Sequence, residues 1–229
     1  WTAQTDHFCD KYKVISMDLP GFGGSGTGRE EFSIEGYADD VIEVMNDLGL
    51  EKVVLVGHSM AGDIIMESAI RDDRVIAIVG VDNFKNVGLE FNEHTDAQIQ
   101  AFLDQMASNF PEVALQYAEN GLFHAQTPGY VKDRVSTSIS NTDPAVAVGS
   151  LKALFAYVPK ETERLSHLKQ KLYLINSTAS PTLSTGLEAS GVDYQKFDVG
   201  MTGHYPMAED PEQFNSILER ILAEVINKQ

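Results

Sequence analysis

The chain of 229 residues has a single cysteine, Cys9, so it can form neither an internal disulfide nor a cysteine-based metal cluster. One thiol is in keeping with a reducing compartment. No apolar run is long enough to span a bilayer and no signal-peptide pattern is visible, which points to a cytoplasmic protein. Basic residues are scarce: 17 Lys and Arg face 34 Asp and Glu, for a formal net charge of −17. Such a surface repels nucleic acid and anionic membranes, and no local basic patch offsets it, so neither is expected as a partner. Carboxylates, though abundant, are missing from one stretch: no Asp or Glu occurs between Glu163 and Glu188. There is no internal repeat and no low-complexity linker.

What is present suffices for a large core, since 43% of the residues are hydrophobic. YKVISMD (12–18) reads as a strand, followed by the glycine-rich loop LPGFGGSGTGREE. Ser33 is a plausible N-cap for a helix in which Ile34, Tyr37, Val41, Val44, Met45 and Leu48 recur at helical spacing. Val53–Val56 predict a strand buried on both faces, followed by a helix to about Arg71, and residues 75–81 predict another buried strand. From about 84 to 168 the pattern is helical, with Pro111, Pro128 and Pro144 each near a helix start. KLYLIN (171–176) and DYQKFDV (193–199) return to strand character, and an amphipathic helix closes the chain. The expected fold is α/β: a predominantly parallel sheet with flanking helices, built from 1–83 and 169–229 and interrupted by a helical cap over 84–168.

Two glycine-flanked stretches carry chemical signals of unequal weight. GFGGSG (21–26) matches G-x-G-x-x-G, but Thr27-Gly28-Arg29-Glu30-Glu31 continues the loop where a dinucleotide site needs a helix. A structural turn is the better reading. KVVLVGHSMAGDIIMESA (52–69) instead reads as strand, tight turn and helix, with Ser59 on the bend. Gly57-His58-Ser59-Met60-Ala61 fits G-x-S-x-G except for Ala61, a small residue followed at once by Gly62. A hydroxyl there sits at a strand's carboxyl end and a helix's amino end, where backbone N–H groups favour developing negative charge. The competing reading is a serine that merely caps the helix.

A serine nucleophile needs a base, and His204, in the loop between the last strand and the closing helix, stands in a suitable place. Gly203 and Pro206 mark that loop as turn-forming. His58 neighbours Ser59, but adjacent strand residues point to opposite faces, so a packing or orienting role suits it better. His7, His94, His124 and His167 have no supporting context.

MDLPGFGGSG (17–26), VGHSMAG (56–62) and GHYPMAEDPEQF (203–214) together resemble the α/β-hydrolase fold family, in its small cap-bearing esterase-like and haloperoxidase-like branch. The resemblance implies Ser59 as nucleophile, His204 as base, and the helical insertion as a lid. It also implies an oxyanion hole formed by the Met60 N–H and a second donor from an earlier loop. That loop, with two leading strands, is expected ahead of Trp1. The family's commoner acid position falls in KLYLINSTASPT, which has no carboxylate. The alternative position, at the end of the preceding strand, holds Asp82, whose competing role is to buttress the turn into the cap. Asp63 and Asp198 are weaker candidates. The expected function is serine-hydrolase cleavage of a small or medium acyl ester, lactone or thioester, with no metal or organic cofactor and a small acyl molecule as substrate. The alternatives are a non-catalytic ligand-binding protein and an acyltransferase or perhydrolase that uses the same nucleophile.

Overall fold

Four strands build a parallel sheet, three of them rich in β-branched and aliphatic residues and the last carrying Tyr194 and Phe197: β1 (Val53–His58), β2 (Val75–Val81), β3 (Leu172–Asn176) and β4 (Tyr194–Asp198). The computed structural model describes residues 1–228 and orders these strands β1-β2-β3-β4. His58 pairs with Val81, Val81 with Ile175, and Asn176 with Asp198, so the carboxyl ends of all four strands line one edge. Burial follows position in the sheet. β3 is buried throughout and β2 almost so, whereas β1 and β4 lie at the margins and are mostly half-buried. The strand expected to be buried on both faces, β1, is therefore an edge strand of the described sheet.

Helices cover both faces. On one, α2 (Ile34–Asp47) and α3 (Met60–Arg71) pack Tyr37, Val41, Met45, Ile64 and Met66 into a cluster with Ile78 and Leu174. Ser33 starts α2 as its N-cap, its hydroxyl accepting the Gly36 N–H at 3.0 Å. On the other face, α1 (Thr2–Phe8) and the long α11 (Pro211–Asn227) bring Phe8, Phe214, Ile217 and Ile221 against Val79, Tyr173 and Ile175. Full burial of each such side chain is worth about 2 kcal/mol, so this three-layer packing is the main source of stability.

Residues 12–18 do not form the strand expected for them. Val14 packs on one core cluster while Met17 and Leu19 pack on the other, so the stretch is partly buried without being a strand. A strand also needs a ladder partner, and this stretch joins no ladder of the described sheet. The following GFGGSG segment is a turn folded back on Asp18. Gly24 N–H donates to the Asp18 carboxylate at 2.9 Å, and the Ser25 hydroxyl donates to the Asp18 carbonyl at 2.8 Å. A carboxylate already sits on the amide that a phosphate would need.

Between β2 and β3 run α4 (Glu93–Ser108), α5 (Phe110–Tyr117), a π-helical turn (Ala118–Leu122), α6 (Gly129–Asn141), α7 (Pro144–Tyr157) and α8 (Glu161–Ser166), with no strand among the described residues. Met106, Phe110, Ala114 and Ala147 form a small core of their own. The two ends of this segment are anchored elsewhere, since Phe84, Val87, Tyr157 and Leu165 belong to the α2–α3 cluster. A buried polar network reinforces that anchor. Glu67 of α3 accepts the Tyr157 hydroxyl, Arg164 Nε at 2.6 Å and Arg71 Nε at 3.2 Å. Beside it, the buried carboxyls of Asp63 on α3 and Glu161 on α8 interact with each other. Two short elements complete the chain: α9 (Ser184–Ser190) links β3 to β4, and α10 (Pro206–Glu209) precedes α11.

Candidate active site

Ser59 occupies the bend between β1 and α3 with φ 55° and ψ −127°, a left-handed backbone that a non-glycine residue rarely adopts. Neighbouring packing imposes the bend. A Cβ on Gly57 would lie 2.3 Å from the Ala61 carbonyl oxygen, and one on Gly62 would collide with the Asn83 amide. Those two glycines let strand and helix close around the serine. Ser59 N–H continues the ladder to the Val81 carbonyl at 3.0 Å, so the bend is pinned to the end of β2. The Ser59 hydroxyl makes no N-cap bond, which removes the capping explanation. Nor does it bond to His204 among the described residues. Ligand-free sites often tighten such contacts only when substrate binds.

One strand over, Asp82 follows β2 with φ 49°, and Phe84 has φ 51°. Together with Ser59 these are the only non-glycine residues with positive φ among those described, and all three lie just past the ends of β1 and β2. Each such conformation costs on the order of 1–3 kcal/mol. His204 enters from the loop after β4, and its Nδ1–H donates to Asp82 Oδ2 at 2.7 Å. That bond places the ring proton on Nδ1 and leaves Nε2 as an acceptor. The structure thus brings Asp82 and His204 into contact, with Ser59 on the adjoining strand end. Asp63 lies on α3 within the polar network, and Asp198 ends β4 in an ion pair with Lys196.

Several partners of this pair were not legible as such in the sequence. Lys85 Nζ lies 2.6 Å from Asp82 Oδ1, which also accepts the Ser177 N–H at 2.9 Å. Burial pushes the Asp82 carboxyl up, but bonds from His204 and Lys85 outweigh it and hold the group below its usual range. Glu209 wraps the His204 turn. It accepts Gly203 N–H at 2.8 Å, Tyr205 N–H at 3.1 Å and the Thr127 hydroxyl at 2.8 Å. His204 N–H itself donates to the Leu122 carbonyl at 2.7 Å, tying the turn to the helical segment. His58 packs its ring 4.5 Å from that of His204 and donates its Nε2–H to the His204 carbonyl at 2.6 Å. Burial, reinforced by the nearby His204, pushes His58 down to about 3, so at neutral pH it is an uncharged brace. Met60 opens α3, where the first backbone N–H groups have no acceptor within the helix.

Among the described residues no group of three or more His, Cys, Asp or Glu side chains is arranged to hold a metal ion. No helix among them is long and apolar enough to cross a membrane.

A parallel α/β fold with a left-handed serine between strand and helix defines a class, and the comparisons name it. The chain belongs to the alpha/beta hydrolase fold family, whose model matches residues 1–138. It is 34% identical over 73 residues to epoxide hydrolase 3 of Xenopus tropicalis, covering 31% of this chain and 20% of that protein. It is 38% identical over 60 residues to (E)-2-((N-methylformamido)methylene)succinate hydrolase of Acinetobacter baylyi, covering 26% of this chain and 23% of that protein. These matches span about a fifth of each curated relative's length. Among solved structures, a thermophilic esterase from Thermogutta terrifontis superposes with a TM-score of 0.84 at 23% identity, covering 98% of this chain and 85% of that one. A bromoperoxidase from Bacillus anthracis gives 0.82 at 18% identity, covering 97% and 86%. At such identities the likeness is one of fold.

Proposed function

We propose that this protein is a serine hydrolase that cleaves a small or medium acyl ester, lactone or thioester. Ser59 Oγ attacks the acyl carbonyl while His204 Nε2 takes its proton. Asp82 keeps the imidazole in the required tautomer and stabilises the imidazolium that forms. The Met60 N–H, at the positive end of α3, stabilises the developing oxyanion. The imidazolium returns its proton to the leaving group, and water repeats the sequence to release the acid. No step calls for a metal or an organic cofactor. The substrate is a small molecule; the charge of −17 argues against nucleic acid and anionic membranes as partners, and the lone Cys9 fits a cytoplasmic setting.

The observation that carries this reading is the coincidence of strain and contact at one sheet edge. Strained Ser59 and Asp82 lie past adjacent strand ends, and Asp82 holds His204 at 2.7 Å. The relatives named as hydrolases support the reaction class. The helical segment over 84–168 acts as a lid in this reading, supported by its Leu122 and Thr127 contacts to the His204 turn.

A fluorophosphonate probe with mapping of the modified residue tests the proposal, alongside turnover of p-nitrophenyl acetate. Ser59 should carry the label, and Ser59→Ala should abolish both labelling and turnover without unfolding the protein. A native protein that neither labels nor turns over ester would support a non-catalytic binding protein instead.

A further inference from the structure

We infer that Lys85 is a positioning residue that sets both the orientation and the net charge that Asp82 presents to His204. The inference rests on the serine-hydrolase reading and assigns to it a group that the motif does not contain. Asp82 and Lys85 side chains are 5% and 11% exposed, so each removes the other's unpaired charge from a dry site. The two carboxylate oxygens have separate duties. Oδ1 takes Lys85 Nζ at 2.6 Å and Ser177 N–H at 2.9 Å, while Oδ2 takes His204 Nδ1–H at 2.7 Å. With Oδ1 held twice, the carboxylate cannot rotate away from the imidazole. Lys85 is itself fixed, its carbonyl accepting the Leu183 N–H at 2.8 Å just after the left-handed Phe84.

The charge matters as much as the aim. When Ser59 gives up its proton, the imidazole becomes a cation drawn to Asp82. The ammonium on the far oxygen offsets part of that pull. Without Lys85, an uncompensated carboxylate would hold the imidazolium more strongly and oppose return of its proton to the leaving group. Two charges separated by one carboxylate interact strongly enough to move the acid side of the pH–rate profile by about one pH unit.

The other groups facing His204 do not produce this shift. His58 is held neutral by burial, down to about 3. Burial pushes the Tyr205 phenol up to about 12. The Glu209 carboxylate is committed to the Gly203 and Tyr205 N–H groups and is the same in native and variant proteins.

The test is the acylation rate with p-nitrophenyl acetate from pH 5 to 9 for native protein, Lys85→Met, Lys85→Gln and Lys85→Arg. The acid-side inflection should move up by about one unit in the two neutral variants, making them roughly tenfold slower near pH 6 relative to their own plateaus. Lys85→Arg, which keeps the charge, should retain the native profile. An unmoved inflection in both neutral variants, with turnover still dependent on Ser59, overturns the inference and leaves the serine reading standing. Collapse of both neutral variants beside a folded Lys85→Arg also overturns it, because Lys85 would then serve folding. Turnover that survives Ser59→Ala removes the reading beneath it.

Discussion

Replacing Glu161 with Gln should make the protein more resistant to alkaline pH, because the native pair it forms with Asp63 cannot ionise fully where it sits. Asp63 and Glu161 are 4% and 7% exposed, and Asp63 Oδ1 has no hydrogen-bond partner of its own. Burial pushes Asp63 well above its usual range, with the Glu161 charge adding to the effect, and burial pushes Glu161 up to about 7 from 4.5. Both carboxyls therefore bind protons more tightly folded than unfolded, so folding takes up protons. The sign follows: the Glu161 contribution to stability falls as pH rises from the unfolded value of 4.5 through about 7. At 1.36 kcal/mol per unit, the Glu161 interval amounts to about 3 kcal/mol. In a domain of this size that is roughly 6–12 °C of melting temperature. Thermal unfolding of native protein and Glu161→Gln, measured side by side from pH 4.5 to 8.5, isolates this pair because other titrating groups cancel in the difference. The difference in melting temperature should grow in favour of Gln as pH rises. A difference that is constant across the range would refute the shared-proton account.

Two further substitutions probe the site's construction. Asp82→Asn should lower ester turnover by about 10⁴-fold through loss of tautomer control, and should cost about 3 kcal/mol by stranding buried Lys85; turnover within tenfold of native would show that Asp82 serves only the turn. Gly57→Ala should destabilise by at least about 3 kcal/mol, because its Cβ would sit 2.3 Å from the Ala61 carbonyl oxygen; chemical denaturation giving a native midpoint would contradict the packing that closes the elbow.

Much of the strand and helix order could be read from the sequence because burial and backbone chemistry leave local marks. The Ser33 cap, the apolar spacing of α2, and Pro111, Pro128 and Pro144 at helix starts are marks of this kind. Residues 12–18 misled because apolar residues record burial, whereas a strand is defined by a ladder partner elsewhere in the chain. The half-burial of β1 was hidden for the same reason, since a strand's place in the sheet order has no local signature. The bend at Ser59 was legible because small neighbours are required at short range. Lys85 and Glu209 were not, because their partners are set by turns: one reaches back three residues to Asp82, the other curls around the Gly203–Tyr205 backbone.

The missing carboxylate in the segment 164–187 acquires a physical meaning at the end of β3. Asn176 stands there, fully buried, and its amide does what a carboxylate could not. Nδ2 donates to the Asn83 carbonyl at 2.9 Å and to the Thr182 hydroxyl at 2.9 Å, while Oδ1 accepts the Asn83 N–H at 3.3 Å. A carboxylate in that place would have no donor for the Asn83 carbonyl, leaving a buried acceptor unpaired. The amide grips the central residue of a turn whose flanking residues, Asp82 and Phe84, both have positive φ. Strain of that kind persists only where surrounding bonds over-determine it. The strand end without an acid thus supports the strained turn that presents Asp82 to His204 one strand away. The left-handed turn, the amide that clamps it and a lysine paired with the carboxylate occur together at Asp82, Asn176 and Lys85.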